Sequence, residues 1–259
     1  DNYDSMAAVI IRELDGIKKE YGSKRRTSIE NAEEAVYEEK KMEETEVCFL
    51  MDRFGYMKLI DKNAYERNKE AVHNENKYVF NCMNTDKICI FTDTGKMHTI
   101  KAVDIPLGRF RDKGTPVDNL SNYDSSQERM LYVAPVGQLR SDRLLFVTKT
   151  SMCKLVEGAE FDVAKRTIAS TKLADEDELI FIGSASEMEQ IVLQSHGGCF
   201  LRFLAQEVST MKKTALGVRG MKLADDDYLE HAYLLAGHQE YTISYHDKEY
   251  ALNKVRLAK

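Results

Sequence analysis

The stretch ICIFTDTGKMHTIK (88–101) reads as an apolar strand, a Gly-type turn and a second strand that ends in a cation. The same phrase returns as VCFLMDRFGYMKLI (47–60), LLFVTKTSMCKLV (144–156), IVLQSHGGCFLRF (191–203) and YTISYHDKEYALNK (241–254). Aligned on turns at Gly55, Gly95, Ser151, Gly198 and about Glu249, the copies lie 40, 56, 47 and 51 residues apart. Repeats of this period signify a propeller or a solenoid, because one four-stranded unit cannot bury both of its faces alone.

Outward from each hairpin the phrase continues with a basic or Gly-containing loop and a third strand, read at 114–120, 166–173 and 217–223. An acidic or polar turn follows at 125–128, 175–177 and 225–227. A fourth strand then closes the unit at 129–136, 178–183 and 228–235. Four units are nearly complete and a fifth stops after its hairpin, leaving apolar edges unpaired unless strands are exchanged between neighbours.

The first 45 residues have a different pattern. Ala8, Ile11, Leu14 and Ile17 recur at helical spacing between Ser5 and Tyr21, and Gly22 stands as a helix stop. The basic cluster Lys24-Arg25-Arg26 follows. From Glu30 to Glu46 the chain is acidic and nearly free of large apolar residues, which suits a linker or a solvated helix. These features divide the chain into 1–45 and a β domain at 46–259.

Composition narrows the classes. Of 259 residues, 43% are hydrophobic and 31% charged, ordinary for a globular chain. No apolar run approaches the roughly 20 residues of a membrane span. The five cysteines lack C-x-x-C spacing; all but Cys82 fall clearly inside strands, which suits free thiols in a reducing cytoplasm. The net charge of −6 divides into −4 for residues 1–45 and −2 for the rest, so this is no strongly basic DNA-binding domain and local clusters must carry any nucleic-acid contact.

The ordered phrases GGCFLRFLAQEV (197–208) and TALGVRGMKLADDD (214–227) resemble the C-terminal domain of the A subunit of bacterial type IIA topoisomerases, the DNA gyrase and topoisomerase IV family. FGYMKLI (54–60) and TGKMHTIKAVDIP (94–106) look like that domain's first two blades. RELDGIKKEYGSKRRTSIE (12–30) is similar to the segment that leaves the family's DNA-cleavage core. The resemblance implies an all-β fold, a β-pinwheel of four-stranded blades that exchange strands, with duplex DNA bent across its outer rim. It also implies a parent topoisomerase partnered by an ATPase B subunit, an A-subunit dimer in the full-length protein, and a cytoplasmic, nucleoid-associated setting. The family's cleavage tyrosine, metal carboxylates and ATPase lie outside this segment, so no cofactor is expected here and the fragment is open to being monomeric. One departure stands out. The Q-R-R-G-G-[KR]-G box that gyrase A subunits carry after the first hairpin is replaced by Lys62 to Glu70, with no Gly and two acids. Its absence favours a topoisomerase IV-like A subunit or a divergent gyrase paralogue.

Binding a duplex without reading its sequence needs cations spaced along a curved surface. The loops after the hairpins supply Arg109, Arg111 and Lys113, then Lys165 and Arg166, then Lys212, Lys213 and Arg219, then Lys254 and Arg256. Gly108, Gly114 and Gly217 would admit close approach of backbone to phosphate. Lys58, Lys101, Lys154 and Arg202, which end the hairpins, form a second set. The bland reading of all these is solvated charge that deters edge pairing. The six histidines show no ligand spacing and are expected at surface or edge positions. The acidic triplets 175–177 and 225–227 read as turn chemistry and not as a metal site. No nucleophile elbow, Walker or H-E-x-x-H element is present. The alternative to DNA binding is a protein-interaction disc, which the near-neutral blades also fit.

Overall fold

The computed structural model describes residues 3–27, 43–237 and 240–258. The acidic segment anticipated from Glu30 lies outside them as far as residue 42. Two compact units are present, Asp1–Lys41 and Met42–Lys259. The first holds α1 (Tyr3–Tyr21), which ends where Gly22 N–H meets the Lys18 carbonyl at 3.0 Å, with its apolar stripe exposed. No helix among the described residues is long and apolar enough to cross a membrane.

The second unit is a series of antiparallel hairpins. The first is β1 (Glu46–Asp52) with β2 (Tyr56–Asp61); α2 (Lys62–Arg67) and α3 (Lys69–Glu75) follow, and β3 (Asn76–Met83) returns beside β1. Next come β4 (Lys87–Thr92), β5 (Lys96–Lys101), β6 (Thr115–Pro116), the one-turn helix α4 (Val117–Leu120) and β7 (Met130–Pro135). The third repeat has α5 (Val136–Leu139), β8 (Arg143–Thr148), β9 (Met152–Glu157), β10 (Thr167–Ala169) and β11 (Leu179–Ser184). The fourth has β12 (Gln190–Ser195), β13 (Phe200–Leu204), β14 (Val218–Arg219) and β15 (Leu229–Leu235), and β16 (Thr242–Tyr245) with β17 (Lys248–Ala251) make a fifth hairpin.

Each of the first four turns closes on one left-handed residue, at Gly55, Gly95, Ser151 and Gly198, as three-residue hairpin loops require. The fifth turn is at His246-Asp247, both left-handed, two residues before the Glu249 anticipated from the alignment. Cys199 directly follows the Gly198 turn, just before β13, and is exposed, whereas the other four thiols are buried.

The third strands are two or three residues long and leave their own repeat. β6 pairs with β2, β10 with β5 and β14 with β9, so the second, third and fourth repeats each complete the blade before them. The resulting sheets run β3-β1-β2-β6, β10-β5-β4-β7 and β11-β8-β9-β14, a fourth blade runs β13-β12-β15, and β16-β17 stands as a pair. This is the strand-exchanged pinwheel that the resemblance implies. The edge strands β3, β7, β11 and β15 lie each against the next. The exchanged strands therefore occupy the opposite, outer edges.

Strand alternation builds the core between blades. Phe49 and Met51 of β1 face Ile88 and Ile90 of β4. The opposite face of β4, Cys89 and Phe91, meets Leu144 and Phe146 of β8. Leu145 and Val147 then meet Ile191 and Leu193 of β12. Both faces of these strands are buried, which is why they read as continuous apolar runs. The face of blade one with no blade before it is covered by α2 and α3, through Ala64, Tyr65 and Val72 on Cys48, Leu50 and Ile60.

Candidate nucleic-acid interface

Each candidate cation lies on the segment that leaves the second hairpin strand, or in the case of Arg219 on the exchanged strand β14 that follows it, and so packs along the outer edge of the preceding blade. Arg109, Arg111 and Lys113 lie along blade one, where Leu107 bridges Leu59. Lys165 and Arg166 lie along blade two, and the Arg166 carbonyl accepts Thr99 N–H at 2.8 Å. Lys212, Lys213 and Arg219 lie along blade three, and Lys254 and Arg256 along blade four, where Leu257 bridges Arg202. All are exposed except the half-buried Lys213.

Their side chains are not equally free. Lys113 stacks on the Tyr56 ring at 4.4 Å. Lys212 pairs with Glu160 at 3.2 Å, and Lys213 donates through Nζ to the Glu160 carbonyl at 2.8 Å. Burial alone would raise the Glu160 carboxyl, but hydrogen bonds from Lys213 N–H and Lys212 outweigh it and hold it below its ordinary value. Among described residues, the side chains of Arg109, Arg111, Lys165, Arg166, Arg219, Lys254 and Arg256 enter no ion pair.

The second set of cations behaves differently from surface charge. The third residue after the left-handed turn position is Lys58 in blade one, His98 in blade two and Lys154 in blade three. Lys58 Nζ donates to the carbonyls of Phe110 and Asp112. Lys154, 1% exposed, donates to the carbonyls of Lys212 (3.3 Å), Lys213 (2.9 Å) and Ala215 (2.6 Å). Burial pushes its ammonium down to about 8. These lysines thus tether the loops that carry the outer cations. Arg202, one residue later in its blade, reaches the Asn253 carbonyl similarly. Lys101, grouped with them from sequence, is exposed and belongs to no such tether.

His98, which the sequence places at a surface or edge, is instead buried. Its Nε2 lies 2.9 Å from Glu128 and its Nδ1 3.1 Å from the Thr167 hydroxyl on exchanged strand β10. Burial pushes the Glu128 carboxyl up, yet hydrogen bonds from His98, Lys96 and Thr92 prevail and hold it below the ordinary range. A polar residue in an otherwise apolar strand is the signal that could have marked Lys154 and His98.

The loop glycines also have another task than the one anticipated. Gly114 and Gly217 are left-handed, and a Cβ would stand 2.5 Å from the Met57 carbonyl oxygen and 2.8 Å from that of Cys153. Their close approach is to the preceding blade, one residue before each exchanged strand. A Cβ on Gly108 would meet its own loop's Asp112. The acidic turns fasten hairpin tips: Asp177 accepts from Thr150 N–H and hydroxyl, and Asp227 from Gly197 N–H. No group of three metal-binding side chains gathers among the described residues.

Comparison with known proteins agrees with this architecture. A family model described as DNA gyrase C-terminal domain, beta-propeller, matches residues 86–125, 142–186 and 189–236. The chain is 29% identical over 228 residues to the DNA gyrase A protein of Clostridium acetobutylicum, covering 84% of this chain and 28% of that one. Against the Salmonella typhimurium DNA gyrase A protein it is 28% identical over 236 residues, covering 86% and 27%. It therefore spans less than a third of the length of these relatives. Among solved structures, the C-terminal domain of DNA topoisomerase IV matches with a TM-score of 0.67 at 22% identity, over 76% of this chain and 64% of that one. The E. coli ParC C-terminal domain matches at 0.65 and 14%, over 83% and 90%. At such identities the structural likeness is one of fold. The family match over just over half of the residues, joined to strand-exchanged blades, establishes that the chain belongs to the DNA gyrase C-terminal domain, beta-propeller family.

Proposed function

We propose that this domain binds and bends duplex DNA through phosphate contacts along its outer edges, within the larger A chain of a type IIA topoisomerase. The observation that carries the reading is the recurrence of exposed, mostly unpaired cations at one position of the repeat, each loop tied to the blade before it. Phosphates along a duplex are evenly spaced and carry no sequence information, so repeated cations on a curved edge are a matching surface. In the parent protein the bound segment would be presented for strand passage. Its partner there would be an ATPase B subunit, with A subunits paired through regions outside this chain. α2 and α3 stand where a gyrase box would follow the first hairpin, which supports a topoisomerase IV-like domain that bends DNA without chiral wrapping.

The test is fluorescence anisotropy on a labelled duplex of about 40 bp across a salt series, with a log–log slope expected to imply about four or more phosphate contacts. Absence of binding at low salt would transfer the edge to a protein-interaction role.

A further inference from the structure

The turns at 109–114 and 212–217 share one hydrogen-bond pattern. Asp112 N–H donates to the Arg109 carbonyl and Ala215 N–H to the Lys212 carbonyl, both at 3.0 Å. The carbonyls of Phe110 and Asp112 converge on Lys58, and those of Lys212, Lys213 and Ala215 on Lys154. A trans peptide holds its N–H opposite its C=O, and the chain has no cis bonds among the described residues. The N–H groups of Arg111 and Lys113, and of Thr214 and Leu216, therefore face away from the lysine ammonium that holds each turn. None of the four donates to another described residue, and all four residues are exposed. Outward N–H groups set among cationic side chains make an anion-binding concavity.

We propose that these two turns are phosphate sites, each organised by an inward-reaching lysine (half-buried Lys58, buried Lys154), which take phosphodiester oxygens of the duplex backbone through main-chain N–H donors. The assignment rests on the DNA-binding reading above. Lys58 and Lys154 touch no phosphate; they are positioning residues that turn the loop carbonyls inward. Blade two lacks the device, because His98 holds a threonine hydroxyl and a carboxylate and gathers no carbonyl. There a single loop carbonyl, that of Val163, accepts from Lys87 at 3.1 Å. A lysine that gathers two or more loop carbonyls is thus found on blades one and three.

The experiment is an amide 15N–1H titration of the chain with a duplex of about 40 bp and, separately, with inorganic phosphate. The amides of Arg111, Lys113, Thr214 and Leu216 are expected to shift along saturating curves, and those of Lys165 and Arg166 to shift less. Lys154→Met is expected to abolish the shifts of Thr214 and Leu216, spare those of Arg111 and Lys113, and weaken duplex binding about tenfold. The spared amides report that the variant is folded, and Lys58→Met is its reciprocal. Duplex binding that leaves all four wild-type amides unmoved overturns the proposal while the DNA reading stands. Phosphate-induced shifts spread evenly over every basic loop overturn it as well. Absence of duplex binding at low salt overturns the DNA reading and the phosphodiester assignment with it.

Discussion

At Ser151 a left-handed backbone is held without glycine: φ is 72°, where the other three-residue turns use Gly. The residue is fully buried, its Oγ accepts Met221 N–H at 2.8 Å, and its carbonyl accepts Gly220 N–H at 2.7 Å. Both partners follow exchanged strand β14, so the hydroxyl fastens a neighbouring repeat. Ser151→Gly relieves about 1 kcal/mol of strain but orphans a buried N–H worth about 1–3 kcal/mol. Urea unfolding should show a net loss of about 1 kcal/mol for Ser151→Gly and a larger one for Ser151→Ala, which keeps the strain. Titration separates the buried groups. The depressed Glu128 and Glu160 carboxyls contribute stability that is present above their ordinary value of 4.5 and lost as pH falls through their folded values. Lys154 works in the opposite sense. Folding disfavours its proton, so its contribution improves as pH rises from about 8 to the ordinary 10.5. Denaturant midpoints of Glu128→Gln should be less acid-sensitive than wild type, and Lys154→Met should flatten the alkaline limb.

At the scale of elements, the exchanged strands are too short to hold by pairing alone. β6 and β14 have two residues each, and their seating depends on a glycine immediately before them. Gly114→Ala and Gly217→Ala place a methyl against the backbone of the preceding blade in a left-handed conformation. Each is expected to cost at least about 2 kcal/mol, read as a shift in the urea midpoint. The contrasting site is Gly16, mid-way along exposed α1, where a Cβ meets nothing within 4 Å. Gly16→Ala should raise helicity by circular dichroism and stabilise α1 by about 0.5–1 kcal/mol. The hairpins were legible in the sequence because each carries its own signal: apolar strands buried on both faces and a turn residue at a fixed place. The partners of β6, β10 and β14 were not. A two-residue strand has no periodicity, and its mate lies about 60 to 70 residues earlier, so nothing local distinguishes a strand that completes its own repeat from one that leaves it.

Across the whole molecule, the cationic loops come to one edge because every repeat reaches back in the same direction. Charge reversal at Arg109, Arg111, Lys165 and Arg166 together should weaken duplex binding similarly across sequences and flatten its salt dependence, as anisotropy would read. The loops themselves were legible from repeat position and charge. Their inward supports were not, since Lys58 and Lys154 looked like hairpin-end surface charge and His98 like an edge residue. Only packing shows that these polar groups terminate in carbonyls, a hydroxyl and a carboxylate of another segment. The offset between repeat and blade also bears on how such a chain can grow. A gene that gains or loses one whole repeat, cut at equivalent points, still gives every interior blade a donor for its outer strand, because donation always passes one step backward. Among the described residues, the departures from this pattern are the leading face of blade one, sealed by α2 and α3, and the three-stranded fourth blade with the two-stranded hairpin after it. Copy number is therefore free to drift without ragged seams inside the disc, and the arc of edge available to a ligand lengthens or shortens in whole steps.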